Sequence, residues 1–297
     1  MAITGRVTES SIHTRVLANL QRNLAKGDKI QDQLSSGKQI NRPSDSPTGT
    51  VSSMQLRAES RANEQYARNA EDGLGWLDTI ESTLTSTSSL LSRARDLTLQ
   101  ALNTGTSSAQ TSEALKTEIG QIRDSLIAYA NTKYLDRPVF GGTTAGDAAY
   151  NSSGVYVGDG GETKRTVGAG SKVRVDTTGP QAFGDGDTQV FAVLKSISDS
   201  IDSGDRTKLT EGLNNLDKAA ILVRTAVSDV GARYNRITQM KDSAENRLLS
   251  VTSQLSDIED IDLPKTIMEM QLQQTSYQAA LAASAKVIQP SLIDFLR

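Results

Sequence analysis

Apolar side chains recur at alternating steps of three and four residues along most of this chain. The first series is Leu17, Leu20, Leu24, Gly27, Gln31, Leu34, ending at Ser35-Ser36-Gly37 before Pro43 and Pro47. A second runs Ala70, Gly73, Leu77, Ile80, Leu84, Thr87, Leu91, Ala94, Thr98, Ala101, and a third Leu115, Ile119, Ile122, Leu126, Tyr129. Val190, Phe191, Leu194, Ile197 and Ile201 predict a short helix closed by Gly204. The longest series starts at Leu209 and keeps the spacing to Ile258, broken in apolar character only by Lys241. A final series is Ile267, Met270, Gln274, Tyr277, Leu281, Ser284, Ile288, with Leu292, Phe295 and Leu296 as a hydrophobic tip. A three–four repeat held this long has a period near 3.5 and predicts coiled-coil-like packing, with partners along the full length of each helix.

Glycine and proline divide the chain. More than half of its 23 glycines lie between Gly141 and Gly186, and none of the six prolines interrupts a periodic stretch. Val139–Gly142, Val155–Val157, Thr166-Val167 and Lys172–Asp176 are short alternating or β-branched runs between turn signals. The predicted fold is mainly α: an elongated coiled-coil-like helical bundle with a small β-rich inserted domain. The expected segments are 1–47, an N-terminal assembly helix; 48–134, the first part of a helical core; 135–188, the β-rich outer domain; 189–262, the second part of the core; and 263–297, a C-terminal assembly helix.

The terminal stripes differ from the middle ones. They include Gly27, Gln31, Gln274 and Ser284 and are flanked by Gln, Asn, Ser, Thr and Ala. Ordering each residue costs ~1–2 kcal/mol of backbone entropy, while each buried apolar side chain returns only ~1.5–3 kcal/mol. One narrow stripe against one partner does not cover that cost. Both termini are therefore expected to be disordered in the monomer and to fold on assembly.

Composition removes most alternatives. The 297 residues carry a formal net charge of −3 and no cysteine, with one Trp, seven Tyr, four Phe and one His. Disulfide scaffolds, thiolate metal sites and cysteine nucleophiles are excluded, and the lone His13 makes a poor basis for a triad. No basic footprint suggests nucleic acid, and no apolar run suggests membrane insertion. The start, Met1–Arg6, lacks the apolar core of a Sec signal.

Specific stretches identify a relationship. Leu34-Ser35-Ser36-Gly37-Lys38-Gln39-Ile40-Asn41-Arg42-Pro43-Ser44-Asp45-Ser46-Pro47 resembles the end of the first helix in the flagellin superfamily. Its Arg-Pro-Ser-Asp form is similar to the hook-associated members rather than the filament members. Asn131–Tyr134 followed by Val139–Thr143 resembles the exit from the core helices into the outer domain. Val155–Asp159 and the Phe183-Gly184 to Val190-Phe191 stretch are similar to that outer domain, and Asp257–Pro264 to the shared C-terminal region. The resemblance implies a secreted structural subunit of the extracellular bacterial flagellum, exported by the type III route. The implied partners are copies of itself, the preceding hook-associated protein, flagellin and an export chaperone. Filament flagellin is the alternative. Assembly contacts are expected at Leu17, Leu20, Leu24, Leu34, Ile267, Met270, Tyr277, Leu281 and Ile288, with Asn41, Arg42, Pro43 and Asp45 shaping the break after the first helix.

The chemistry of catalysis is not visible. Gly158–Gly161 and Gly184–Asp187 lack the spacing of a calcium loop, and Gly168–Lys172 lacks that of a phosphate loop. Asp257, Glu259, Asp260 and Asp262 are expected to form an exposed charge cluster at a helix end. Asn151-Ser152-Ser153 is a glycosylation sequon whose meaning depends on compartment, and Trp76 is expected to pack. No catalytic, cofactor or metal residue is assigned, and no enzyme activity is expected.

Overall fold

Helix α6 (Arg206–Glu259) keeps the heptad without interruption. Leu209, Leu216, Val223, Val230, Ile237, Ala244 and Val251, one every seven residues, are all buried. The intervening series positions Leu213, Ala220, Val227, Tyr234, Lys241 and Leu248 are half-buried. A side chain that returns to the same face every seventh residue makes one unbroken seam. The helix begins where Asp205 Oδ1 accepts from the backbone N–H of Thr207 and Lys208, at 3.1 and 3.2 Å, after Gly204 closes the preceding helix in the left-handed region.

This computed structural model describes the backbone of residues 9–103, 109–144 and 146–288, and side chains from Thr14 to Ala285 apart from 104–109, 145 and 187. The other helices are α1 (Glu9–Ser36), α2 (Pro47–Asn103), α3 (Ala109–Ala130), α4 (Gly179–Phe183), α5 (Val190–Ser203) and α7 (Leu263–Ile288). The hairpins are β1 (Lys133–Tyr134) with β2 (Arg137–Pro138), and β3 (Lys164–Gly168) with β4 (Ser171–Arg174), both antiparallel. The chain divides into two units. One comprises 1–61 and 249–297, the other 62–248.

The 62–248 unit holds the large core. The second predicted series is its α2 seam: from Ala70 to Thr98 every member is buried. Leu115, Ile119, Ile122 and Leu126 of α3 are buried as well, while Tyr129 is not. Helices α3 and α5 pack on each other, and Val190, Phe191, Leu194, Ile197 and Ile201 all face inward. Arg95 of α2 pairs with Asp217 of α6 at 2.7 Å, and Arg93 with Glu118 of α3 at 2.7 Å; on such exposed positions these pairs add little.

The insert has less regular β-structure than its sequence pattern suggests. Val139–Gly142 forms a buried turn rather than a strand, and Val155–Val157 makes one isolated bridge, Tyr150 to Tyr156, in place of a ladder. Its order comes from an aromatic cluster. Phe140 and Phe183 meet edge to face at 5.0 Å, and Tyr150 meets Phe191 at 5.0 Å. Such packing does not need ladders, so alternation alone overstated the strands. The insert is tied to the helices by named bonds. Arg165 pairs with Asp72 of α2 at 2.5 Å, Asn69 donates to the Thr166 carbonyl, and Arg233 of α6 to that of Asp176. The Asp176 carboxylate is fully buried and accepts from the Thr163 N–H and from Arg174.

Candidate assembly site: the paired terminal helices

In the other unit, helices α1 and α7 pack against each other. The α1 positions turned inward are Val16, Leu20, Asn23, Gly27, Ile30 and Leu34, of which only Ile30 is fully buried. Facing them on α7 are Thr266, Met270, Gln273, Tyr277, Ala280 and Ser284. Both lists step by four and three, as predicted, but the phase differs from the sequence series. Asn23 and Ile30 face inward in place of Leu24 and Gln31; Thr266, Gln273 and Ala280 in place of Ile267, Gln274 and Leu281. At the centre Gln273 Nε2 donates to the Asn23 carbonyl at 2.7 Å, and Gly27 leaves room for the Gln273 side chain.

The proposed assembly residues therefore fall into two groups. Leu20, Leu34, Met270 and Tyr277 lie half-buried in the pair. Leu17 and Leu24 are exposed by 58% and 53%, Ile267 and Leu281 by 42% and 43%. Leu263, Met268 and Leu272 are exposed beside them on α7. The side chains of His13 and Ile288, and all of Leu292, Phe295 and Leu296, lie outside the described residues.

The break after α1 is built by local polar bonds. Gly37 adopts a φ of 70°, a conformation that ends a helix readily when no Cβ is present. The Asp45 carboxylate then accepts from the backbone N–H of Arg42 at 2.9 Å and of Asn41 at 3.2 Å, and meets Lys29 Nζ at 3.1 Å. The backbone bond from Arg42 holds its pKa below the usual carboxylate range, with Lys29 contributing next. The Asn41, Arg42 and Pro43 side chains are exposed; Arg42 lies 3.6 Å from Asp32. Ser46 Oγ accepts from Gly49 N–H and caps α2, whose first residue is Pro47.

A clasp joins this break to the end of α6. Gln39 N–H donates to the Glu259 carbonyl and Ile261 N–H to the Gly37 carbonyl. The Glu259 side chain is only 4% exposed and meets Arg57 of α2 at 2.7 Å and Lys38 at 3.5 Å; Lys38 also reaches Asp260 at 2.6 Å. Arg57 above all lowers the Glu259 pKa; Lys38, then Ser256, lowers that of Asp260. Asp257, Asp260 and Asp262 are exposed at the helix end, as expected, and Glu259 is the exception. Glu259 is a buried acceptor between two cations, and Asp262 caps α7 by accepting from Lys265 N–H at 3.1 Å. The distance in sequence from Lys38 to Asp260 hid this arrangement, since neither residue has a local reason to seek the other.

The arrangement holds two weakly apolar helices side by side, fixes where they leave the neighbouring helices, and presents further apolar side chains outward. Among the described residues no group of His, Asp and Glu could hold a metal ion, and no helix is long and apolar enough to cross a membrane.

Residues 8–144 match the bacterial flagellin N-terminal helical region, and residues 213–296 the bacterial flagellin C-terminal helical region. Over 96% of both chains the sequence is 28% identical to a flagellin of Bacillus subtilis. It is 26% identical to the flagellar hook-associated protein 3 of Escherichia coli, covering 94% of this chain and 95% of that one. The fold also resembles the crystal structure of Bacillus cereus FlgL, with a TM-score of 0.61 and 24% identity, over 68% of this chain and 99% of that one.

Proposed function

We propose, from the premise that this chain belongs to the bacterial flagellin family and is a structural subunit of the flagellum, that it forms the junction between hook and filament. The observation that carries this choice is the likeness to a hook-associated protein 3 along nearly the whole length of both chains. The FlgL-like fold and the Arg42-Pro43-Ser44-Asp45 form of the break support it.

In this reading α1 and α7 are the inner, assembling part of the subunit. Leu20, Leu34, Met270 and Tyr277 hold the pair together, while Leu17, Leu24, Ile267, Leu281 and the neighbouring Ile288 seat against adjacent copies. Asn41, Arg42, Pro43 and Asp45 set the angle at which α1 departs. The partners are further copies of this chain, the preceding hook-associated protein on one side and flagellin on the other. The chain leaves the cell through the flagellar type III route, with an export chaperone on its C-terminal helix. A chain without cysteine suits passage in an unfolded state followed by life outside the cell. Isolated helices with so narrow an apolar stripe are marginal in water, so α1 and α7 come undone in the dilute monomer and form when copies meet.

Two measurements test this. Loss of the gene leaves finished hooks and releases flagellin monomers into the medium. Bare hooks that still carry a complete junction, with no flagellin made, would instead assign the chain to the filament, the reading favoured by its likeness to the B. subtilis flagellin. In the purified monomer, backbone hydrogen exchange is fast across 14–34 and 266–284 and slow across the 62–248 unit. Slow exchange throughout would remove the folding-on-assembly step.

A further inference from the structure

The turn between β1 and β2 is strained without any return inside the chain. Lys133 faces Pro138 and Tyr134 faces Arg137, leaving Leu135 and Asp136 as a two-residue connection. Both are left-handed, with φ of 47° and 61°. Turns of this kind favour Asn-Gly, and a leucine at such a φ is sterically disfavoured. Leu135 nevertheless is 73% exposed, so no burial in its own chain offsets the strain. Asp136 has no ion pair or hydrogen bond among the described residues.

The base of the hairpin is rigid. The Tyr134 ring lies against the backbone of Gly75, where an added Cβ would come within 2.5 Å of the phenol oxygen. Trp76 meets Tyr134 edge-on at 5.5 Å, and the Arg137 guanidinium sits 5.6 Å from the Trp76 ring centre. Val139 N–H closes back on the Thr132 carbonyl at 3.0 Å. The anchored base holds an apolar knob and a free carboxylate out toward solvent. Backbone strain of this kind clusters at functional sites, where the surrounding structure holds it in place.

The same unit carries a largely polar cleft with two lysines in its lining. It lies between α5 and α6, about 590 Å³ in volume, with Ala192 and Val193 on one side and Lys208 and Lys218 on the other. Glu211 is the one carboxylate among its described lining residues. Lys218 has no carboxylate partner among the described residues and donates only to Asn215; Lys208 stands 3.8 Å from Asp205.

We infer that the Leu135–Asp136 tip of one copy docks into the α5–α6 cleft of the next, leucine against the exposed Ala192 and carboxylate toward Lys218. A knob and a cleft on different surfaces make a head-to-tail contact, which propagates into a ring or helix instead of closing as a dimer. The inference rests on the assembly reading above and adds a contact made by the 62–248 unit rather than by the terminal helices.

The absence of cysteine gives a clean test in the full chain, expressed as the sole copy and recovered in isolated flagella. Mild oxidation of a Leu135→Cys, Ser196→Cys double variant yields a ladder of cross-linked multimers, while each single variant stays monomeric. A dimer from Leu135→Cys alone means that two tips meet and overturns the proposed cleft. So does the absence of any cross-link in assembled flagella. If the double variant does not assemble, the charges decide. Asp136→Lys reduces assembled protein at least fivefold, and adding Lys218→Glu restores it; Asp136→Lys assembling like the parent overturns the contact. Failure of these variants to matter leaves the terminal-helix reading standing, whereas a chain lacking α1 and α7 that still assembles defeats that reading alone.

Discussion

The α6 seam and the α1–α7 seam share one spacing and differ in what fills it. Along α6 every seventh residue is Leu, Val, Ile or Ala and is buried by its own chain. Along the terminal pair the inward places mix Leu20, Ile30, Leu34, Met270 and Tyr277 with Asn23, Gly27, Thr266, Gln273, Ala280 and Ser284, and further apolar side chains such as Leu17, Leu24, Ile267 and Leu281 face away. Periodicity therefore says that a helix has a partner; the size of the side chains on each face says whether that partner is already present. The 62–248 unit is finished in one copy. The terminal pair has further apolar surface still to cover.

The sharpest way to break the comparison is to cut into each seam. Leu84→Ala or Leu126→Ala, both fully buried in the 62–248 unit, should destabilise that unit by about 2–5 kcal/mol, measured by denaturant unfolding of the monomer. The same truncation at Leu24, Ile267 or Leu281 should change monomer unfolding by no more than about 0.5 kcal/mol while abolishing sedimentable assemblies. If the outward residues destabilised the monomer as much as the core ones, the two seams would not differ in kind. A gentler change fills the polar seam. Gln273→Leu removes the bond to the Asn23 carbonyl and adds apolar contact beside Gly27. It should tighten the pair by about 1 kcal/mol, seen as slower exchange across 20–34 in the free chain; unchanged exchange would mean that the pair is not limited by its polar centre.

Acid gives the smallest effect and separates the clasp from the seam. The Glu259 and Asp260 carboxyls are held below the usual range by Arg57 and by Lys38, respectively. Groups whose folded pKa is lowered stabilise the folded form at neutral pH, and that contribution disappears as pH falls through the folded value. Below pH ~4 exchange at Gln39 and Ile261 should therefore rise. Glu259→Gln should remove the part of this dependence that comes from Arg57, leaving the Asp260–Lys38 part. A pH-independent clasp would mean that its backbone bonds, not its charges, hold it.

Much of this was legible in the sequence, for a physical reason. Large apolar side chains at Leu77, Leu84, Leu126, Val223 and Ile237 leave a single way to bury them, so the spacing alone located the seams. At the termini the chain's own pairing lies one position away from the series. Leu24 and Ile267 look like core residues because they are large apolar groups at the three–four spacing, yet the chain's own pairing uses Asn23 and Thr266. A sequence of one copy cannot say which face waits for another. The clasp was hidden because Lys38, Arg57 and Glu259 come together only through tertiary folding, and no short spacing records it. In the insert, the aromatic residues marked the core correctly, but their edge-to-face packing made the regular ladders suggested by Val139–Gly142 and Val155–Val157 unnecessary.

The strict seven-residue return of buried positions from Leu209 to Ala244 has a consequence for handedness. A straight α-helix drifts by about 20° per heptad against such a line, or roughly 100° over the five heptads between those two residues. For all of these side chains to stay inside, α6 and the helices on which it packs must wind around one another in the left-handed sense. Inserting a single residue near Val230 would rotate everything beyond it out of the core.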